Sequence, residues 1–319
     1  MICEGTMETY RLYYPNDFDI QLEPTALAIG FFDGLHLGHK EVIEKMIEIA
    51  DEKNLKKAVM TFDPHPSVVL NPKARRTTYL TPLLEKEKML EEKGIDYLFV
   101  VNFSSDFAAL SPDTFVHEYL IKNNVKEVIA GFDFSYGQYG KGSITTLKTY
   151  DAFNTTKVLP FTEDNEKIST TKIRELLLSD QLEEANKLLG RSYEINGVVV
   201  QGEKRGRTIG FRTANIEPSG PYLLPSLGVY AVTMTIGTDD TIYRGVASIG
   251  KKPTFHDDYK VTIEVHLIDF DRTIYGEEVT VYLHNFLRGE KKFDGLDDLI
   301  EAMTKDKENA VKLLEKYNE

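Results

Sequence analysis

Apolar residues in the first half of the chain follow two alternating periods. "TALAIG" (25–30) is an uninterrupted apolar run of strand length. Val42, Ile43, Met46, Ile47 and Ala50 then recur at helical spacing, and "KAVMTF" (57–62) reads as a strand again. The same succession continues through a helix in "EKEKMLEEKG", a strand in "YLFVVNF" (97–103), a helix in "FVHEYLIKNN" and a strand in "EVIAGF" (127–132). Repeated βαβ units predict an α/β fold with a doubly wound parallel sheet. Such sheets bind ligands beyond the carboxyl ends of their strands. "GFFDGLHLGH", "TFDPHP" and "GFDFSYG" each begin where a strand ends, so three loops are expected on one rim.

Residues 169–190 are helical in pattern, and beyond Gly190 the pattern changes to short alternating runs separated by Gly, Pro and Asp turns. "YEINGVVVQG", "GVYAVTMTIG", "TIYRGVASIG", "KVTIEVHLIDF" and "EEVTVYLHNF" are strands at close spacing, which predicts a compact β-barrel. A C-terminal helix follows, packing through Leu296, Leu299, Ile300, Met303, Val311 and Leu314. The expectation is two domains, 1–189 and 190–319, each long enough to bury a core.

Composition narrows the class. A 41% hydrophobic, 28% charged chain without an apolar stretch of membrane-spanning length reads as a soluble protein with no membrane partner. Its start lacks a basic end followed by an apolar core, and its single cysteine, Cys3, excludes an internal disulfide framework. A cytoplasmic location is therefore expected. With 38 Lys and Arg against 51 Asp and Glu, the net charge of −13 repels nucleic acid, so an anionic substrate must be held by local groups. Nothing in the sequence sets an oligomeric state.

Four segments supply such groups. In "GFFDGLHLGHK", Gly30, Gly34 and Gly38 allow tight turns, and a helix starting near Gly38 offers free N–H groups to a phosphate. His36 and His39 then stand at the helix mouth, able to stabilise charge built up in phosphoryl or nucleotidyl transfer. A purely structural role for both imidazoles is the alternative, and two histidines without a third ligand do not make a zinc site. In "ISTTKIRELL", Ser169, Thr170 or Thr171 caps a helix whose first turn carries Lys172 and Arg174, where the helix dipole disfavours cations. A bound phosphate reconciles them; two solvated basic side chains are the alternative. "GEKRGRTIGFRTANI" sets Gly202, Gly206 and Gly210 among Lys204, Arg205 and Arg207, ahead of Thr213 and Asn215, as a phosphate loop or a plain basic hairpin. Strand alternation turns Val261, Ile263, Val265 and Leu267 inward and Glu264 outward, as a general base or an ordinary exposed glutamate.

Together these segments resemble the prokaryotic FAD synthetases, which combine riboflavin kinase and FMN adenylyltransferase. "GFFDGLHLGH" carries the family's His-x-Gly-His, "TFDPHP" and "GFDFSYG" look like its flavin and nucleotide loops, and "ISTTKIR" is similar to its Ser-Ser/Thr-Thr-x-x-Arg signature. The second half resembles the riboflavin kinase barrel from "VVVQGEKRGRTIGF" through "LLPSLGVYAV", "SIGKKPTF" and "TIEVHLIDF" to "LRGEKKFDGL". The resemblance implies ATP at Gly30, Phe31, Phe32, Gly34, Gly38 and Ser169–Thr171, with His36, His39 and Arg174 catalytic. It implies flavin at Phe62, His65, Asp133 and Phe134. In the barrel it implies ATP at Gly202, Arg205, Gly206 and Gly210, Mg²⁺ at Thr213 and Asn215, Glu264 as base and Arg288 at the flavin. FMN, riboflavin and MgATP are the implied small-molecule partners. The family's Pro-Thr-Ala-Asn reads Arg212-Thr213-Ala214-Asn215 here, so a weakened or lost kinase is expected. Two other classes compete: a flavin-responsive regulator without turnover, against which His36 and Arg174 stand, and an RNA-dependent enzyme, against which the net charge stands.

Overall fold

The computed structural model describes residues 6–15, 21–71, 73, 75–163, 166–202, 211–253 and 259–317. They form two compact units, Met1–Ser169 and Thr170–Glu319.

The first unit runs β1 (Glu8–Leu12), β2 (Thr25–Ile29), α1 (Leu37–Lys53), β3 (Lys56–Asp63), α2 (Pro66–Leu70), α3 (Leu83–Glu91) and β4 (Tyr97–Asn102). Short α4 (Ser105–Ala108) and α5 (Pro112–Phe115), continued by a π-helical turn, lead to β5 (Val125–Gly131). A two-stranded ladder, β6 (Ser135–Tyr136) with β7 (Gly142–Ser143), and α6 (Ile144–Leu147) precede β8 (Asn154–Val158); β9 (Thr162–Glu163) and β10 (Glu166–Lys167) form a further hairpin. The main sheet has order β1-β4-β3-β2-β5-β8 and is parallel throughout. All five residues of β2 are buried, because it lies inside the sheet with helices on both faces, and this is why its sequence is a continuous apolar run.

One face of the sheet packs Ala28, Val59 and Leu98 against Val42, Ile43, Met46, Ile49 and Ala50 of α1. The expected stripe named Ile47; that residue is only partly buried, and Ile49 is the one enclosed. The other face packs Leu27, Met60 and Phe99 against Phe107, Phe115 and Tyr119. Helix α1 ends where Asn54 adopts φ 52° and its N–H reaches the Ala50 and Asp51 carbonyls.

The second unit opens with α7 (Thr170–Leu178) and α8 (Leu182–Leu189), separated by Asp180 at φ 62° where the apolar pattern alone predicts continuous helix. Asn186 of α8 donates to the Leu283 carbonyl and accepts from the Tyr193 N–H, so the helix is tied to the strands that follow. These are β11 (Tyr193–Val200), β12 (Ala214–Pro218), β13 (Gly228–Ile236), β14 (Asp239–Pro253), β15 (Tyr259–Leu267) and β16 (Glu278–Gly289). They close an antiparallel barrel in the order β11-β12-β15-β14-β13-β16. Helix α9 (Leu296–Leu313) lies on the barrel, enclosing Asp306 and Ala310, with Leu314 just beyond. Leu296, expected on the packing stripe, is instead 57% exposed at the first position of the helix. Among the described residues, no helix is long and apolar enough to cross a membrane.

Candidate active sites

The turn between β2 and α1 is built from conformations that most residues avoid. Phe32 (φ 52°), Gly34 (φ 89°) and Leu35 (φ 41°) all lie in the left-handed region. Each non-glycine residue there costs about 1–3 kcal/mol. Phe32 and Leu35 are 2% and 1% exposed, and burying such side chains returns about 1.5–3 kcal/mol apiece, enough to hold the strain. Gly30 has no substitute in this turn, since a Cβ on it would stand 2.9 Å from two carbons of the Phe32 ring.

The turn delivers both histidines to the start of α1. His36 is buried and is the N-cap: its Nδ1 accepts the His39 N–H at 3.3 Å, and its carbonyl accepts from His39 and Lys40. Capping through Nδ1 leaves Nε2 as the proton-bearing nitrogen of the neutral ring. The His39 imidazole stacks on that of His36, 3.6 Å between centroids and 18° between planes, and meets Phe32 edge-on at 5.4 Å. Burial, then His36, then the Lys86 ammonium hold His39 well below the usual imidazole range, so it is neutral. Its Nδ1 is enclosed without a hydrogen-bond partner, which leaves Nε2 to meet a ligand. Gly38 lies against the His36 ring. Two imidazoles stacked over a helix N-terminus form a donor surface suited to phosphate oxygens.

Around this turn, the Phe31 ring meets His65 edge-on at 4.3 Å. His65 caps α2, its Nδ1 accepting from the Ser67 N–H at 3.0 Å. Phe62, at the end of β3, is half-buried against Phe103 and Phe107. Phe134 stacks on Tyr136 at 5.9 Å, and Asp133 pairs with Lys167 at 2.7 Å on an exposed surface. Within the second unit, α7 carries Lys172 in its first turn; Arg174, expected in that turn too, falls one residue past it and is half-buried. Ser169 and Thr170 are half-buried, and Thr171 is exposed.

Sequence reading passed over Lys86. It is 3% exposed, and its Nζ donates to the Phe31 carbonyl at 2.7 Å and to the Thr61 hydroxyl at 3.0 Å. Burial lowers it to about 8, against the pull of the Asp33 and Asp63 carboxylates. The available signal was position: Lys86 falls three residues after Leu83 and four before Leu90, on the inward stripe of α3.

In the barrel, Glu264 of β15 stands opposite Asn215 of β12 and Ser248 of β14. The Thr213 hydroxyl donates to its Oε2 at 3.3 Å. A cavity of about 610 Å³ is lined by Phe211, Thr213, Glu264, His266, Arg288 and Met303 among others. A smaller one, about 90 Å³, is lined by Gly202, Arg212, Thr213, Asn215, Phe270 and Tyr275. Thr213 borders both. The Asn215 amide fills the space that a side chain on Gly202 would need. Arg205, Gly206 and Gly210 lie outside the described residues.

Arg288 lines the larger cavity, but its Nε and Nη2 are engaged by the buried Asp306 carboxylate, at 3.1 and 2.8 Å. Arg212 turns Nη1 to the Asp271 carbonyl at 3.4 Å. His266 donates from Nδ1 to the Arg212 carbonyl at 2.8 Å and so steadies the segment bearing Thr213; burial lowers its basicity. With its proton given to Glu264, the Thr213 hydroxyl keeps oxygen lone pairs for a hard cation, and the Asn215 amide oxygen is a second donor. That sparse set fits Mg²⁺, which retains waters and substrate phosphates. Among the described residues, no group of three or more His, Cys, Asp or Glu could hold a metal ion by itself.

Two family models match successive stretches of the chain. Residues 19–172 match the FAD synthetase family model and residues 189–314 the riboflavin kinase model. A bifunctional riboflavin kinase/FMN adenylyltransferase of Listeria monocytogenes is 45% identical over 306 residues, spanning 95% of this chain and 97% of the relative. One of Bacillus subtilis is 42% identical over 311 residues, spanning 96% and 98%. A solved structure from Streptococcus pneumoniae, described as a macrolide-efflux protein, superposes with a TM-score of 0.86 at 35% identity, covering 94% of this chain and 98% of that one.

Proposed function

The chain belongs to the FAD synthetase family of bifunctional riboflavin kinases/FMN adenylyltransferases, and from that premise we propose how its residues divide the two reactions. It phosphorylates riboflavin to FMN and transfers AMP from ATP to FMN, giving FAD and pyrophosphate. In the first reading, the Gly30–His39 turn receives the triphosphate of MgATP. An FMN phosphate oxygen attacks the α-phosphorus, the bond from that phosphorus to the bridging oxygen breaks, and the electron pair leaves on pyrophosphate. The N-terminal N–H groups of α1 and the Nε2–H groups of His36 and His39 donate to the oxygens where charge accumulates. Phe31, Phe62, His65 and Phe134 offer ring surface to the isoalloxazine, with Asp133 at its edge. The observation that carries this reading is the stacked His36–His39 pair above the helix N-terminus at the end of an interior parallel strand.

In the barrel, nucleotide occupies the Gly202–Asn215 side and flavin the Glu264–Arg288 side, meeting at Thr213, which borders both cavities. Thr213 and Asn215 hold Mg²⁺, which when bound neutralises phosphate charge, and Glu264 accepts the proton of the ribityl hydroxyl that attacks the γ-phosphorus. A cytoplasmic location belongs to the same proposal. Incubation with MgATP and either riboflavin or FMN, followed by chromatography, tests it: FMN and FAD are expected from riboflavin, and FAD alone from FMN. An inert mixture sinks it.

Two substitutions probe the edges. Arg174→Ala is expected to raise the KM for MgATP in FAD formation by about tenfold or more, the worth of a charge-assisted hydrogen bond, and to narrow the gap between melts with and without MgATP. An unchanged KM removes Arg174 from the site. Arg212→Pro is expected to speed riboflavin phosphorylation about two- to fivefold, because proline fixes its own φ and extends Phe211, which pre-shapes the segment presenting Thr213. Equal initial rates for the two proteins remove Arg212 as a brake on the kinase.

A further inference from the structure

Lys86 has features that a packing role does not require. It is an ammonium enclosed at 3% exposure, and no carboxylate lies within ion-pair distance of it among the described residues. A buried cation without a paired anion is expensive, whereas an apolar residue on the same stripe of α3 would pack without that penalty. What Lys86 touches is specific. The Phe31 carbonyl accepts from Lys86 Nζ and also from the Thr61 hydroxyl at 2.8 Å, while Thr61, on β3, accepts from Lys86. The ammonium also lies 4.7 Å from the centroid of the Phe31 ring, the ring that meets His65. Phe31 opens the turn in which Phe32, Gly34 and Leu35 are left-handed and which ends at the His36 cap.

We propose that Lys86 is a positioning residue for adenylyl transfer: by clamping the Phe31 peptide to Thr61 from beneath, it fixes the turn that presents His36 and His39 and the ring that abuts His65. The inference rests on the role given above to the two histidines. A turn with three left-handed residues among four has other conformations close in energy, and one fixed peptide at its entrance selects among them. The charges acting on the ammonium are Asp33, Asp63 and Glu87, and the ammonium in turn disfavours a proton on nearby His39; all four groups remain when Lys86 is replaced.

The test uses the full chain with both activities assayed on one preparation. Lys86→Met, close in volume, is expected to keep riboflavin phosphorylation and the melting profile while kcat for FAD formation falls about tenfold or more and the KM for MgATP moves less than about threefold, the signature of lost orientation. Lys86→Ala should lose as much, and added ethylammonium should restore kcat by filling the vacated space with a donor of the same kind. A Lys86→Met protein with parental kcat, or one whose first unit has unfolded, overturns the positioning role; so does an alanine variant indifferent to the amine. His39→Ala, run alongside, separates the two failures. If it retains FAD formation, the histidine reading is at fault; if it is inactive while Lys86→Met is not, only the role of Lys86 falls.

Discussion

Replacement of His39 by alanine is expected to slow FAD formation from FMN and MgATP by about 10²- to 10³-fold, the range for removing a preorganised donor from a charge-stabilising site. Riboflavin phosphorylation should keep its parental rate, because its residues lie in the other compact unit. His36 calls for a different design. It is at once a ring in the donor surface and the cap of α1, and removing a cap costs about 0.5–2 kcal/mol on its own. His36→Asn retains a capping acceptor and discards the imidazole, so a folded but inactive His36→Asn assigns the loss to the ring. The pH dependence follows from the neutral His39. Its folded-state value lies well below 6.5, so its charge does not change between pH 7 and 6, and FAD formation should show no acid limb there on its account. Stability should respond instead. Below 6.5 the unfolded chain takes up a proton that folded His39 refuses, so acidification lowers stability, and His39→Ala should lessen that loss in melts at successive pH values. A His39→Ala chain that forms FAD at the parental rate removes the turn from the reaction.

How far the sequence reveals all this depends on whether a residue's surroundings leave a periodic trace. Interior strands such as β2 and β4 are buried on both faces and read as apolar runs. The edge strands β1 (ETYRL) and β8 (NTTKV) carry largely exposed or half-exposed residues and escaped notice. β12 was hidden for another reason: only Ile216 of its five residues is buried, so alternation had nothing to register. The motif-bearing turns were legible because close approach demands Gly30 and left-handed backbone demands Gly34, and histidine is chemically distinctive. The strain at Phe32 and Leu35 was not, since neither residue announces a left-handed conformation. Lys86 looked like one more charge in "EKEKMLEEKG" because chemistry and periodicity gave opposite signals, and only its position on the inward stripe told the truth. Arg288 illustrates the converse. The family resemblance places it at a ligand, and Asp306, a buried carboxylate on α9, takes up its Nε and Nη2.

The largest effect on the kinase should come from Glu264→Gln. The substitution is nearly isosteric, leaves the strand pairing of β15 with β12 and β14 intact, and keeps an oxygen to accept the Thr213 hydroxyl. What it removes is the capacity to take a proton. If Glu264 is the base for the ribityl hydroxyl, kcat for riboflavin phosphorylation should fall about 10²- to 10⁴-fold with little change in the KM for riboflavin. If the glutamate only orders Thr213, the glutamine retains that bond and the rate should stay within a few-fold of the parent. Arg212→Pro separates these cases further: pre-shaping the Thr213 segment should still give its small gain in a Glu264→Gln background if the two act independently, but it cannot restore a missing base. FAD formation provides the internal control. Supplied with FMN, the Glu264→Gln chain should adenylylate it at the parental rate; supplied with riboflavin, it should accumulate FMN and FAD slower than the parent by the same factor of about 10²–10⁴, because the first step limits both. A glutamine variant that converts riboflavin to FAD as fast as the parent would leave the barrel without its base.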